Sequence, residues 1–180
     1  MPSFWKTWCE AAGVDEALRE SVLQLRLIVF DFDGVFTDNA VYVNQDGVES
    51  VRCWRSDGLG LSLLRRLGLE VMVLSTEDNP VVTARCRKLK LRCDQGVTDK
   101  ALRLQELAKE HGLSLSQVAY VGNDINDSGC LELAGLPVVV ADAHPVVVPL
   151  AKWKTRKSGG AGAVREVCDL IFAVRQGDQD

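Results

Sequence analysis

Leu25-Arg26-Leu27-Ile28-Val29-Phe30 runs without a break into Asp31-Phe32-Asp33-Gly34, and this junction decides how the rest of the chain is read. A short, mostly apolar, β-prone run makes a buried strand, and here the strand stops in two carboxylates one residue apart. The same punctuation recurs downstream. Glu70 to Leu74 runs into Ser75-Thr76-Glu77-Asp78-Asn79-Pro80, and Val118 to Val121 runs into Gly122-Asn123-Asp124. Segments of helical spacing separate these strands: Leu59 to Leu67 ending at Gly68, Val81 to Leu89 with Pro80 in its first turn, and Lys100 to His111 with Thr98 or Asp99 as cap. Leu91 to Asp94 and Pro137 to Val140 read as further short strands. Ser128 to Ala134 and Pro145 to Ala151 read as short helices, and Ala163 to about Val174 as the last one. Strands alternating with helices predict an α/β fold, a doubly wound and mostly parallel sheet with helices on both faces.

Two regions stand outside that alternation. Phe4 to Gln24 has helical spacing and forms a leading helix over residues 1–24, broken at Gly13. Val41 to Val43, the turn Asn44-Gln45-Asp46-Gly47 and Val48 to Trp54 read as a β-hairpin, because Asp-Gly supplies the positive φ angles of a tight turn. A polar tail, residues 175–180, is expected to fray. With no linker, repeat or low-complexity tract, residues 1–180 are read as a single domain.

The 180 residues are 47% hydrophobic and 26% charged, enough for a genuine core. A formal net charge of −4 argues against nucleic acid or an anionic membrane as partner, since both need a basic surface. No apolar run approaches the roughly 18 to 20 residues that cross a bilayer, and Met1 to Glu10 lacks the layout of a signal peptide, so a cytoplasmic protein is expected. The six cysteines form no CxxC pair and there are two histidines, which disfavours a zinc cluster. Without a Gly-x-Ser-x-Gly elbow, a serine triad is also disfavoured. Catalysis must rest on carboxylates.

Ligands gather beyond the carboxyl ends of the strands in such sheets. Asp31 with Asp33, Ser75 with Thr76, Lys100 at the start of its helix, and Asn123 with Asp124 and Asp127 are all expected there. Two carboxylates at one sheet end repel each other unless a cation intervenes, and hard oxygen ligands suit Mg²⁺ shared with a phosphate. The chemistry indicated is phosphoryl transfer. Asp31 is the candidate nucleophile through an aspartyl-phosphate, and Asp33 the general acid and then base. Ser75 would hydrogen-bond a phosphoryl oxygen, Lys100 would supply the fixed positive charge, and Asn123 or Asp124 would complete a metal shell begun by Asp31 and Asp33.

Asp31-Phe32-Asp33-Gly34-Val35-Phe36-Thr37-Asp38, Ser75, Lys100 and Gly122-Asn123-Asp124-Ile125-Asn126-Asp127 together resemble the four motifs of the haloacid dehalogenase (HAD) superfamily of Mg²⁺-dependent phosphohydrolases. Residues 25 to 173 are similar to its small branch without a cap domain, which includes the octulosonate, nononate and acylneuraminate phosphate phosphatases. The resemblance implies a homotetramer in which the hairpin after the first motif helps enclose a neighbour's site. It also implies that the Gly-rich segment Ser158 to Gly162 approaches an adjoining site. Three departures accompany it: Asn123 stands where Asp is common, Ala161 where the octulosonate enzymes have Arg, and Thr76-Glu77 where they have Gly-Arg. Glu77, Arg85 and Lys88 have the spacing of the nine-carbon members, and with Thr76 they are the expected substrate contacts. A phosphorylated 3-deoxy-2-ulosonic acid of nine carbons is therefore the first expectation, the eight-carbon octulosonate 8-phosphate the second. A non-catalytic module associated with a cytidylyltransferase is the rival of another class.

Overall fold

The computed structural model describes residues 3–177. Helices α1 (Ser3–Ala11) and α2 (Glu16–Gln24) lead the chain, joined through Gly13 as its position in the sequence predicted. Asp15 starts α2 by accepting the Leu18 N–H at 2.8 Å. Strand β1 (Leu27–Phe30) follows, and then β2 (Thr37–Val43) and β3 (Glu49–Cys53), which pair antiparallel as the expected hairpin. The remaining chain alternates: α3 (Asp57–Arg66), β4 (Glu70–Leu74), α4 (Pro80–Leu89), β5 (Arg92–Asp94), α5 (Lys100–Glu110), β6 (Val118–Gly122), α6 (Ser128–Leu133), β7 (Leu136–Val139), β8 (Trp153–Lys154) and α7 (Ala163–Gly177).

Six strands form one sheet in the order β5-β4-β1-β6-β7-β8, with every neighbouring pair parallel. The chain builds outward from β1 to one side through β4 and β5, then crosses to the other side for β6, β7 and β8. The reversal of direction opens a crevice at the carboxyl ends of β1 and β6. The burial of all four residues of β1 explains its continuous apolar run, since a central parallel strand is covered on both faces. Phe32 stacks on Phe36 at 5.8 Å between centroids, and Phe36 meets Phe30 edge-on at 5.6 Å. These rings fix the loop that carries Asp31 and Asp33.

Three details differ from the sequence reading. Strand β8 was not anticipated, because two residues carry no periodic signal. Within Pro145 to Ala151 there is a single 3₁₀ turn, Val148–Leu150, where a short helix was expected. Residues 175–177 continue α7 instead of fraying, because Arg175 Nη2 donates to the carbonyls of Val22, Leu23 and Leu25 and so closes the end of α2. Residues 178–180 of the expected tail lie outside the described residues. Among the described residues no helix is long and apolar enough to cross a membrane.

Helix α7 packs along α1, α2 and α3. At the α3–α7 contact Asp57, 1% exposed, accepts the Arg165 N–H at 3.2 Å. Burial pushes its carboxyl up to about 7, against the Arg165 N–H and the charges of Arg85 and Arg165. Between about pH 4 and 7 the folded chain thus holds a proton that the unfolded chain releases, so stability falls as pH rises through that window. Asp57→Asn keeps an oxygen for the Arg165 N–H and removes the titration. Urea denaturation should show wild type losing up to about 4 kcal/mol relative to this variant between pH 4 and 8; a constant difference would refute the assignment.

Candidate active site

The ends of β4, β1 and β6 lie side by side, so Ser75, Asp31 and Asn123, the first residues beyond them, share one edge of the sheet. Lys100 opens α5, where Asp99 caps the helix by accepting the Leu102 N–H at 2.9 Å. Its side chain is buried and its Nζ donates to Asp31 Oδ1 at 2.7 Å and to Asp127 Oδ1 at 2.8 Å. Burial alone would discharge the amine; the two carboxylates outweigh it and hold the lysine pKa above its ordinary value.

Asp127 organises this cluster, and its function was not assigned from the sequence. Its Oδ1 accepts Tyr120 OH at 2.6 Å besides the lysine, and its Oδ2 accepts the N–H groups of Asn123 at 2.8 Å and Asp124 at 3.3 Å. Every lone-pair direction is used. Gly122 is what lets it approach, since a Cβ there would lie 2.6 Å from Asp127 Oδ2. A buried carboxylate needs such partners, and Tyr120 in an otherwise apolar strand was the available signal.

Burial, and then the charge of Asp127, push the Asp31 carboxyl up to about 7, with Lys100 opposing. A divalent cation would restore the ionised form that a nucleophile requires. One terminal amide atom of Asn123 lies 2.9 Å from the main-chain oxygen of Asp33 and 3.2 Å from Asp31 Oδ2. With nitrogen there, the amide donates to both. With oxygen there, three oxygens crowd together, a stable arrangement when a cation sits among them. Neighbouring oxygens of a magnesium octahedron stand about 2.9 Å apart, given bonds of about 2.0 to 2.1 Å. The donor set of Asp31, Asn123 and the Asp33 main chain therefore fits Mg²⁺. Among the described residues no three His, Cys, Asp or Glu side chains form a metal cluster, so amide and main-chain oxygens are essential to it.

A cation held there would take the Asp33 backbone oxygen and leave its carboxylate free for another task. Thr37 holds that carboxylate: the buried hydroxyl accepts the Gly34 N–H at 3.1 Å and the Asn39 N–H at 3.2 Å, and its own proton goes to Asp33. Burial and the nearby Glu77 push the Asp33 carboxyl up, while Lys100 and Thr37 pull the other way. A raised carboxyl next to an ionisable nucleophile is suited to carrying a proton.

These groups border a polar cavity of about 90 Å³, whose walls include Asp31, Asp33, Ser75, Thr76, Asn123 and Asp124. Ser75 is buried, and its Oγ accepts the Glu77 N–H at 3.1 Å, which leaves the hydroxyl proton for a ligand. Asp124 spends Oδ1 on the Ile125 N–H at 2.7 Å. The other expected substrate contacts lie away from the walls. Glu77 Oε1 accepts the N–H groups of Asp78 at 2.9 Å and Asn79 at 2.8 Å, shaping the entry to α4. Arg85 Nη2 donates to the Trp54 carbonyl at 2.9 Å at the base of the hairpin, and Lys88 is exposed. The Gly-rich segment turns inward on its own chain: Gly159 packs on the Gly34 carbonyl, where a Cβ would sit 1.9 Å from the oxygen.

A parallel sheet that gathers a lysine-held carboxylate, a second carboxylate and a hydroxyl round one small polar cavity suits a phosphoric monoester hydrolase, and the relatives of this chain are of that class. A family model described as haloacid dehalogenase-like hydrolase matches residues 95–167. The 3-deoxy-D-manno-octulosonate 8-phosphate phosphatase KdsC of Escherichia coli (strain K12) is 37% identical over 157 residues, which span 87% of this chain and 83% of that protein. The crystal structure of 3-deoxy-D-manno-octulosonate 8-phosphate phosphatase from Moraxella catarrhalis, in complex with magnesium ion, phosphate ion and KDO molecule, is 30% identical with a TM-score of 0.87. It covers 92% of this chain and 95% of that one. A HAD-family structure from Streptomyces avermitilis MA-4680 is 45% identical with a TM-score of 0.82, covering 84% and 87% of the two chains. The chain belongs to the haloacid dehalogenase-like hydrolases, in the branch without a cap domain.

Asp127→Ala should lower stability by about 3–5 kcal/mol in urea denaturation, because it strands two N–H groups and half-releases a buried cation. Asp127→Asn keeps the N–H acceptor and should lose less. Equal stability of both variants and wild type would remove Asp127 from its organising place.

Proposed function

We propose that residues 1–180 form one Mg²⁺-dependent phosphomonoesterase domain that hydrolyses a phosphorylated 3-deoxy-2-ulosonic acid through an aspartyl-phosphate. The observation that carries the reading is the Asp31 carboxylate held by Lys100 beside the Asn123 amide, which also meets the Asp33 main-chain oxygen, on the wall of the cavity. An Asp31 oxygen attacks phosphorus as the bond to the ester oxygen breaks, and Asp33 gives that oxygen its proton. Asp33 then takes a proton from water, whose oxygen attacks the same phosphorus. Phosphate leaves, and Asp31 is again a carboxylate. Ser75 and Lys100 hold phosphoryl oxygens during both steps. Mg²⁺ held by Asp31, Asn123 and the Asp33 main chain supplies charge neutralisation for the phosphoryl oxygens; Asn123 is assigned here in preference to Asp124.

The relatives named for octulosonate 8-phosphate favour the eight-carbon substrate over the nine-carbon one. Support for nine carbons rested on Glu77, Arg85 and Lys88, and the first two are engaged in shaping α4 and the hairpin base. A homotetramer joined through the hairpin fits the exposure of Val41, Tyr42 and Val43, which are 50%, 64% and 62% accessible. A cytoplasmic setting fits six free thiols.

Phosphate release with Mg²⁺ should be greatest on octulosonate 8-phosphate in a panel with nine-carbon ulosonate 9-phosphates. A better nine-carbon substrate would reverse the choice, and no release from any would favour the non-catalytic assembly module. Asp31→Asn should lose at least a thousandfold in kcat while remaining folded by circular dichroism, and wild type stripped of divalent ions by a chelator should lose as much. Retained turnover in the variant would exclude Asp31 as nucleophile. Light scattering at micromolar concentration should give about four chain masses, and Tyr42→Glu with Val43→Glu a smaller species; a monomeric wild type would refute the interface.

A further inference from the structure

The cavity has room for several solvent-sized groups, and the body of an eight-carbon acid must extend past its rim. Besides Ser75 and Asn123, three uncharged side chains on its wall can form hydrogen bonds: Thr76 after β4, Asn126 after β6 and Asn39 on β2. Asn126 Nδ2 approaches Thr76 Oγ1 at 3.5 Å, so these two face each other. Asn39 differs. Its carboxamide makes no hydrogen bond to the described residues, which leaves two donors and an acceptor at the mouth of the site.

Its backbone is specially arranged. Asn39 has φ of +61°, in the left-handed region, and the pairing register of β2 with β3 shifts between Thr37 and Val41. Its N–H is tied to Thr37 Oγ1, the same hydroxyl that holds the Asp33 carboxylate. One buried hydroxyl therefore fixes the proton carrier and Asn39 in a common frame. Glycine adopts positive φ at lower cost than any other residue, so what Asn adds at this position is its side chain.

We infer that the Asn39 carboxamide binds the hydroxylated, acidic body of the substrate just beyond the transferred phosphoryl group, and is a specificity-determining residue. The amide N–H groups donate to a carboxylate or hydroxyl oxygen, and the carbonyl accepts from a hydroxyl. A polyhydroxy acid offers both partners, whereas the body of p-nitrophenyl phosphate has no hydroxyl or carboxylate and only the weakly accepting nitro oxygens at its far end. This inference rests on the substrate class proposed above.

The test compares kcat/KM for octulosonate 8-phosphate with that for p-nitrophenyl phosphate in wild type, Asn39→Gly and Asn39→Asp. Glycine keeps the backbone conformation and deletes the amide; Asp keeps the size and deletes both donors. The ratio of the two kcat/KM values should fall about tenfold in the Gly variant, mainly through KM for the sugar acid, and at least as far in the Asp variant. An unchanged ratio in an active Gly variant, whether both activities hold or fall together, would overturn the Asn39 inference alone. A wild type that hydrolyses p-nitrophenyl phosphate and no ulosonate phosphate would overturn the substrate reading and this inference with it.

Discussion

Lys100 is a buried cation between two buried carboxylates, and its position constrains everything around it. Removed from water, the amine keeps its charge because Asp31 and Asp127 both lie within 2.8 Å. Taking charges out of water is expensive, and hydrogen bonds to the remaining lone pairs must help offset that cost. Asp127 finds its partners in Tyr120 and two backbone N–H groups. The oxygen of Asp31 left over from the lysine faces the Asn123 amide, which also meets the main-chain oxygen of Asp33. The cluster is thus satisfied on the α5 side and open on the cavity side, where a cation and a phosphoryl group would complete it.

Topology makes this economical. Adjacent parallel strands deliver Ser75, Asp31 and Asn123 to one edge, and reversal of strand order beside β1 leaves space in front of them. Close approach of backbone then narrows that space. Gly122 admits the Asp127 carboxylate against its strand, and Gly159 lays the Gly-rich loop on the carbonyl of Gly34. That loop supports the first motif of its own chain, whereas the resemblance implied that it approaches an adjoining site.

The cavity wall carries the charged Asp31, Asp33 and Asp124 beside neutral hydrogen-bonding groups. The hairpin supplies one of them, Asn39, before extending Val41, Tyr42 and Val43 into solvent. Arg85 fastens the base of that hairpin through the Trp54 carbonyl, so a residue with the spacing of a substrate contact acts as a brace.

The sequence by itself determined the alternation of strands and helices, the carboxylates and hydroxyl at strand ends, and the lysine opening α5. Those features follow from local periodicity, caps and turn residues, all written within a few positions of one another. It could not reveal that Asp127 shares Lys100 with Asp31, that Thr37 spends one hydroxyl on Asp33, Gly34 and Asn39, or that Glu77 and Arg85 are committed to α4 and the hairpin. Only the tertiary structure decided these, because a polar side chain chooses its partner by what burial places within about 3 Å of it, and the groups concerned are as far as 69 residues apart in the chain. Helix α7 was cut short in the sequence reading for the same reason, since the carbonyls that hold Arg175 belong to α2 and the segment after it, about 150 positions earlier.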